Sequence, residues 1–145
     1  MIGLIQRVTS AKVEVNQEII GSIDQGILLL LGVEKDDTVA KADRLLQRVM
    51  GYRIFSDDSG RMNHSLTDIQ AELLIVSQFT LPANTQKGMR PSFSSAGSAQ
   101  LGKELYEHLI RQAKQSPLKI QSGQFGADMQ VSLVNDGPVT FWLQV

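Results

Sequence analysis

The sequence predicts an α+β fold in one domain over residues 1–145: a mostly antiparallel, barrel-like sheet with two helices packed on it. Three observations predict it. Short apolar or alternating runs recur along the chain, separated by turn residues. Apolar residues at three- and four-residue spacing fall in two stretches, near 38–51 and 98–114. The length of 145 residues, with no internal repeat, linker or low-complexity tract, suits one domain that buries about two-thirds of its unfolded surface.

Residues 2–8 read as a first strand. Residues 11–15 alternate Val13 and Val15 against Lys12 and Glu14, which predicts a second strand with one wet face, and Asn16-Gln17 reads as a turn. The run GILLLLG at 26–32 is apolar on both faces, as a central strand buried on both sides would be. Asp36, Asp37 and Thr38 are N-cap candidates for a helix whose stripe is Val39, Ala42, Leu45, Leu46 and Val49, ending at Gly51. Arg44 and Arg48 share its outer face, as ordinary solvated charges do.

Strand character resumes at 52–55, before a turn at Asp57-Asp58-Ser59-Gly60, and again at 71–81. Residues 82–98, PANTQKGMRPSFSSAGS, form one long loop, and loops of that length in a compact domain are usually functional or mobile. A second helix carries Leu101, Leu105, Leu109 and Ala113 and stops before Ser116-Pro117. Strands at 118–121, 128–134 and 139–145 close the chain.

Composition narrows the chemistry. The 14 Lys and Arg nearly balance 15 Asp and Glu, so the net charge of −1 gives no drive for non-specific nucleic-acid binding; no DNA partner is expected, and any RNA contact is local. Without cysteine there are no disulfides, thiolate catalysis or thiolate metal sites, and the cytoplasm is the expected location. The first fifteen residues lack the pattern of a secretory leader, and the longest apolar run is far too short to span a bilayer, so no membrane partner is expected.

The usual catalytic devices are missing. His108 sits in the second helix beside Leu109 and reads as a surface or boundary residue; His64, four residues before Asp68, reads as a loop residue without a third ligand. No metal and no cofactor is expected, since no nucleophile elbow, phosphate loop or dinucleotide fingerprint is present. Two features stand out. Ser77-Gln78-Phe79-Thr80 puts two hydroxyls and an amide into an apolar strand, where alternation would place Ser77 and Phe79 on one face and Gln78 and Thr80 on the other. Near the C-terminus, Asn135-Asp136-Gly137-Pro138 has the composition of a hairpin turn, and on these residues alone a hairpin is the expectation.

Taken together, LLIVSQFTL, KGMRPSFS and FGADMQVSLVNDGPVT resemble the D-aminoacyl-tRNA deacylase family, of the D-Tyr-tRNA deacylase type, whose signature pair is a Ser-Gln-Phe-Thr strand and a Gly-Pro-Val-Thr segment. The likeness extends through IQRV at 5–8, LLGVEKDD and YRIFSDDSGRMN. It implies hydrolysis of the ester joining a D-amino acid, or glycine, to the terminal adenosine of tRNA, as chirality proofreading in translation. It also implies a homodimer whose active site lies at the interface and receives the acceptor end of aminoacyl-tRNA.

By the same resemblance, a cis Gly137-Pro138 bond reaches the partner's pocket, where its carbonyls exclude L-residues by clash. Arg7 would hold those carbonyls, Ser77 would help bind substrate, and Phe125 and Met129 would wall the pocket. Gln78, Phe79 and Thr80 would be the catalytic stretch, through backbone N–H groups at Phe79 and Thr80 with help from a ribose hydroxyl, or else through the Thr80 hydroxyl as nucleophile. Lys87 and Arg90 would touch the tRNA. Two other readings stay open: a hydrolase of free D-amino acid esters or peptides acting through Thr80, and a non-catalytic RNA-end or protein-binding dimer.

Overall fold

In a computed structural model that describes residues 1–86 and 88–145, the first strand, β1, runs unbroken over Ile2–Val15 where two were expected. The join is a change of face. The register of β1 against its C-terminal partner shifts between Gln6 and Val8 and again between Val8 and Ser10. As a result Ile5 faces the helices, whereas Val8, Ala11 and Val13 face a second core. Asn16 and Gln17, at φ of 50° and 68°, turn the chain into β2 (Glu18–Ile23), antiparallel to the far half of β1.

Next comes β3 (Gly26–Gly32), antiparallel to the near half of β1 and parallel to β6 (Glu72–Ser77). Its position explains its composition. Ile27, Leu29 and Leu31 join the helix-side core, while Leu28 joins the other core with Leu30 packed against it. Each fully buried aliphatic side chain there stabilises the fold by about 1.5–3 kcal/mol relative to exposure. Gly26 admits the close approach of β6, because a Cβ there would collide with the Glu72 carbonyl.

Both helices form as predicted. In α1 (Val39–Gly51), the Thr38 side chain caps the Lys41 N–H and Ala42, Leu45, Leu46 and Val49 are buried; in α2 (Ala99–Ala113), Ser98 caps the Leu101 N–H. Arg44 is exposed, but Arg48 is half-buried and donates to the Gln144 carbonyl at 3.0 Å. His108 of α2 meets Asp43 of α1 at 2.7 Å. Before α1, the buried Asp37 carboxylate accepts from the Met1 amine, the Glu34 N–H and Lys41 Nζ, which offsets its desolvation. No helix among the described residues is long and apolar enough to cross a membrane.

The remaining strands differ from expectation in instructive ways. The pair β4 (Phe55–Ser56) and β5 (Met62–His64) is a short hairpin around the predicted Asp57–Gly60 turn, and His64 ends a strand rather than lying in a loop. At Ser77 β6 stops, four residues early: Gln78 N–H makes the last bond to β3, at the Leu31 carbonyl, and 78–83 then fold into successive turns closed by Leu81 N–H on the Gln78 carbonyl and Ala83 N–H on the Thr80 carbonyl. After β7 (Ile120–Ser122), β8 (Gln130–Gln144) is one continuous strand. No hairpin forms at Asn135-Asp136-Gly137-Pro138. Both halves of β8 pair antiparallel with β1, and the turn-like residues form a bulge between them.

The main sheet runs β2-β1-β3-β6-β7, with β8 along the other side of β1. It is mostly antiparallel, with parallel pairs at β3–β6 and β6–β7. The sheet curls so that β2 packs near β6 and β7 around the second core, Val13, Ile23, Leu74 and Val76, giving the barrel-like shape.

Candidate active site

Where β6 stops, a cavity of about 580 Å³ opens between the sheet and the start of α2. Its walls are mostly apolar. Ser77 at the end of β6 and Gln78 and Phe79 just after it line the space, with Phe125 and Met129 from the segment between β7 and β8, Phe93 and residues 96–98 from the long loop, and Ala99 from the start of α2. Because the strand has ended, Gln78 and Phe79 both line this space, and the strict alternation expected for 77–80 does not hold.

Tyr106 anchors the floor. Its hydroxyl lies 2.9 Å from the Ile75 carbonyl and 3.0 Å from the Gly123 carbonyl, tying β6 to the segment after β7. Burial pushes its phenol well above the ordinary value, so it stays a protonated donor. Its ring packs on Phe125 at 5.9 Å, and Phe125 in turn covers Gly102, where a Cβ would come within 3.2 Å of the ring. Across the mouth, Phe79 and Phe93 pair at 5.3 Å, Phe79 being 67% exposed. Phe93, Gly102 and Tyr106 escaped the sequence reading, since a helical stripe does not distinguish a core tyrosine from one that floors a cavity.

The polar groups of this cavity are backbone groups, the Gln78 amide and the hydroxyls of Ser77, Ser98 and Tyr106. Among the described residues no carboxylate, imidazole or amine lines it, and no cluster of three or more His, Asp or Glu side chains is placed to hold a metal ion. The turns over 78–83 use the N–H groups of Gln78, Leu81 and Ala83, leaving those of Phe79 and Thr80 without a partner among the described residues. Of these two consecutive donors, that of Phe79 belongs to a residue lining the cavity and that of Thr80 to the next residue, which lines the neighbouring depression. The Thr80 side chain is elsewhere: its hydroxyl accepts from Gln78 Nε2 at 2.6 Å and lines a separate depression with Asn84 and Trp142.

Gly137 and Pro138 lie outside this cavity. They are exposed on the β8 bulge, with a cis peptide bond between them and Gly137 at φ 133°. Arg7 was expected to hold their carbonyls. Its bonds instead go one residue upstream and across the fold: Nε to the Asp136 carbonyl at 3.2 Å, Nη1 to the Ile54 carbonyl at 2.6 Å. Arg90 is exposed in the long loop and does not line the cavity, and Lys87 lies outside the described residues. One chain thus assembles Ser77, Gln78, Phe79, Phe125 and Met129 in a cavity, and presents Gly137-Pro138 beside Arg7 on a separate surface.

Residues 4–144 match the family described as D-Tyr-tRNA(Tyr) deacylase. The chain belongs to that family. Among curated proteins this deacylase-family chain is 61% identical to the D-aminoacyl-tRNA deacylase of Pseudoalteromonas translucida (strain TAC 125) and 59% identical to that of Hahella chejuensis (strain KCTC 2396). All 145 residues are covered in both, against 100% and 99% of the relatives. Among solved structures it superposes on the c-Myc DNA Unwinding Element Binding Protein with a TM-score of 0.95 at 38% identity, covering 100% of this chain and 99% of that one. A probable eukaryotic D-amino acid tRNA deacylase shares the fold, at a TM-score of 0.84 and 17% identity, over 99% and 98% of the two chains.

Proposed function

We propose that this family member, a D-aminoacyl-tRNA deacylase and so an ester hydrolase, works as a homodimer in which each cavity is completed by Gly137-Pro138 of the other subunit. The observation that carries this reading is the separation just described: a cavity with free amide donors on one surface, and an exposed glycine–proline bulge on another. In one chain they do not meet. A second copy offers the means to join them.

In this reading the terminal adenosine enters between the aromatic walls and the ester carbonyl approaches the N–H groups of Phe79 and Thr80. Water attacks the carbonyl carbon, the developing oxyanion is held by those two donors, and the C–O bond to the ribose breaks. With no side-chain base in the cavity, the neighbouring ribose hydroxyl relays the proton to the departing ribose oxygen. Ser77 and Gln78 orient the substrate, Phe125 and Met129 wall it, and the partner's Gly137 and Pro138 carbonyls meet an L-side chain by clash. Rejection of this kind needs no recognition of any one side chain, and glycine escapes it. Arg90, and Lys87 with it, would meet the acceptor end, and the chain would act in the cytoplasm.

Deacylation of matched D-, L- and glycyl-tRNA by the purified protein tests the reading, with release of D-residues and glycine and retention of L-residues as the expected result. The name of the 38%-identical solved structure favours nucleic-acid binding as a second reading. Binding of tRNA without release of any amino acid would establish that one instead.

A further inference from the structure

We propose that Asn135 is a positioning residue that fixes the Gly137-Pro138 segment and thereby sets discrimination between D- and L-aminoacyl substrates; this rests on the reading of that segment as the chirality wall. Between the pairs Gln6↔Thr140 and Val8↔Asn135, β8 advances five residues while β1 advances two. The surplus chain leaves the ladder, and its backbone groups lose their strand partners. A bulge of that size has no fixed direction unless something closes its base.

The Asn135 side chain closes it. Its Oδ1 accepts the Val139 N–H at 2.9 Å and its Nδ2 donates to Thr140 Oγ1 at 2.8 Å. Gln6 Nε2 of β1 approaches the same hydroxyl at 3.5 Å, at the limit of a hydrogen bond. A backbone N–H can only donate, so the amide orientation is set: carbonyl toward Val139, amino group toward Thr140. One planar group with an acceptor and a donor therefore stands in for the missing strand partner. Val139 is buried, so its N–H has no ready exchange with water if Asn135 is removed. Between the two ends of this clasp, Arg7 Nε meets Asp136, and Gly137 and Pro138 themselves are exposed with no side-chain hydrogen bond among the described residues.

The test is single-turnover deacylation of D- and L-aminoacyl-tRNA by wild type, Asn135→Ala, Asn135→Asp, Thr140→Val and Thr140→Ser, with thermal melts of each. Asn135→Ala should lower the D-to-L rate ratio by about tenfold, the scale of one or two neutral hydrogen bonds. Asn135→Asp keeps the acceptor for Val139, and the Thr140 hydroxyl can turn to donate to it, so most of the ratio should return. Thr140→Val should lose part of the ratio and Thr140→Ser should not. A folded Asn135→Ala with the wild-type ratio, or with D and L rates reduced equally, overturns the proposal. Should Asn135→Ala unfold, Thr140→Val against Thr140→Ser decides in the same way. A wild type that releases D- and L-residues equally would remove the chirality-wall reading itself, a result separable from any effect at Asn135.

Discussion

Arg7 Nε lies 3.1 Å from the Asp136 carboxylate and 3.2 Å from the Asp136 carbonyl, one residue before Gly137. With Nη1 on the Ile54 carbonyl at 2.6 Å, the guanidinium joins the residues before the β4–β5 hairpin to the β8 bulge. The Asp136 carboxylate is 44% exposed, so the ion pair itself contributes little, whereas each carbonyl accepting from a charged donor contributes about 1.5–3 kcal/mol. An ammonium cannot span both partners as the planar fork does. Arg7→Lys should therefore leave a folded protein with D-substrate rates down by about tenfold or more, read by single-turnover assay beside a circular-dichroism melt.

Thr80→Ala should keep its activity within about tenfold of wild type, because the backbone N–H survives and the hydroxyl faces the neighbouring depression. A loss of about a thousandfold or more would make the hydroxyl the nucleophile and retire the two-amide account.

Gly137→Ala meets two obstacles. At φ 133° an L-residue is strained, and the new Cβ would lie 2.6 Å from Val139 Cγ2 and 3.3 Å from Arg7 Nη2. Folded protein with little D-substrate activity is expected. Mixed with chains carrying Gln78→Ala, it should regain activity through heterodimers holding one intact composite cavity. If sedimentation finds an active monomer, or mixing restores nothing, the shared-cavity arrangement fails.

Tyr106→Phe should cost about 1–3 kcal/mol in urea unfolding, since the carbonyls of Ile75 and Gly123 lose their shared donor in a buried setting. Its deacylation rate should fall as the Phe125 wall loosens, and an unchanged stability would show that water replaces the phenol.

A pH dependence is expected in the β4–β5 hairpin. Bonds from the Ser59 hydroxyl and the Arg61 N–H, aided by Ser59 N–H and Asn63, lower the Asp57 carboxyl from 3.8 to about 2. Its folded pKa is depressed, so its stabilising effect is complete above the unfolded value and is lost as pH falls from about 4 through about 2. Carboxyl chemical shifts and amide exchange at 57–63 should report loosening in that window, absent in Asp57→Ala.

Much of the fold was legible because it depends on local pattern. The apolar run Ile27–Leu31 marked a strand buried on two faces, the cap candidate Thr38 marked the first helix start, and the stripe from Leu101 marked the second helix. The motif SQFT marked the site by its hydroxyl and amide side chains, which an apolar strand would not otherwise carry. What one strand's alternation could not show is that β6 ends at Ser77, where its partner β3 also ends, at Gly32, and the chain folds into turns closed by the N–H groups of Leu81 and Ala83.

The sequence by itself determined the fold class, the two helices, the central strand and, through two motifs far apart, the family. Tertiary structure alone decided the role of Asn135-Asp136-Gly137-Pro138. Turn residues favour a reversal of direction wherever they occur, and only the pairing of both halves of β8 with one strand, β1, turns that preference into a bulge. Likewise, the reach of Arg7 to Asp136 and Ile54, and of Tyr106 to Ile75 and Gly123, joins residues 129, 47, 31 and 17 positions apart. Hydrogen bonds over such separations follow from the packing of the whole chain, and no local pattern encodes them.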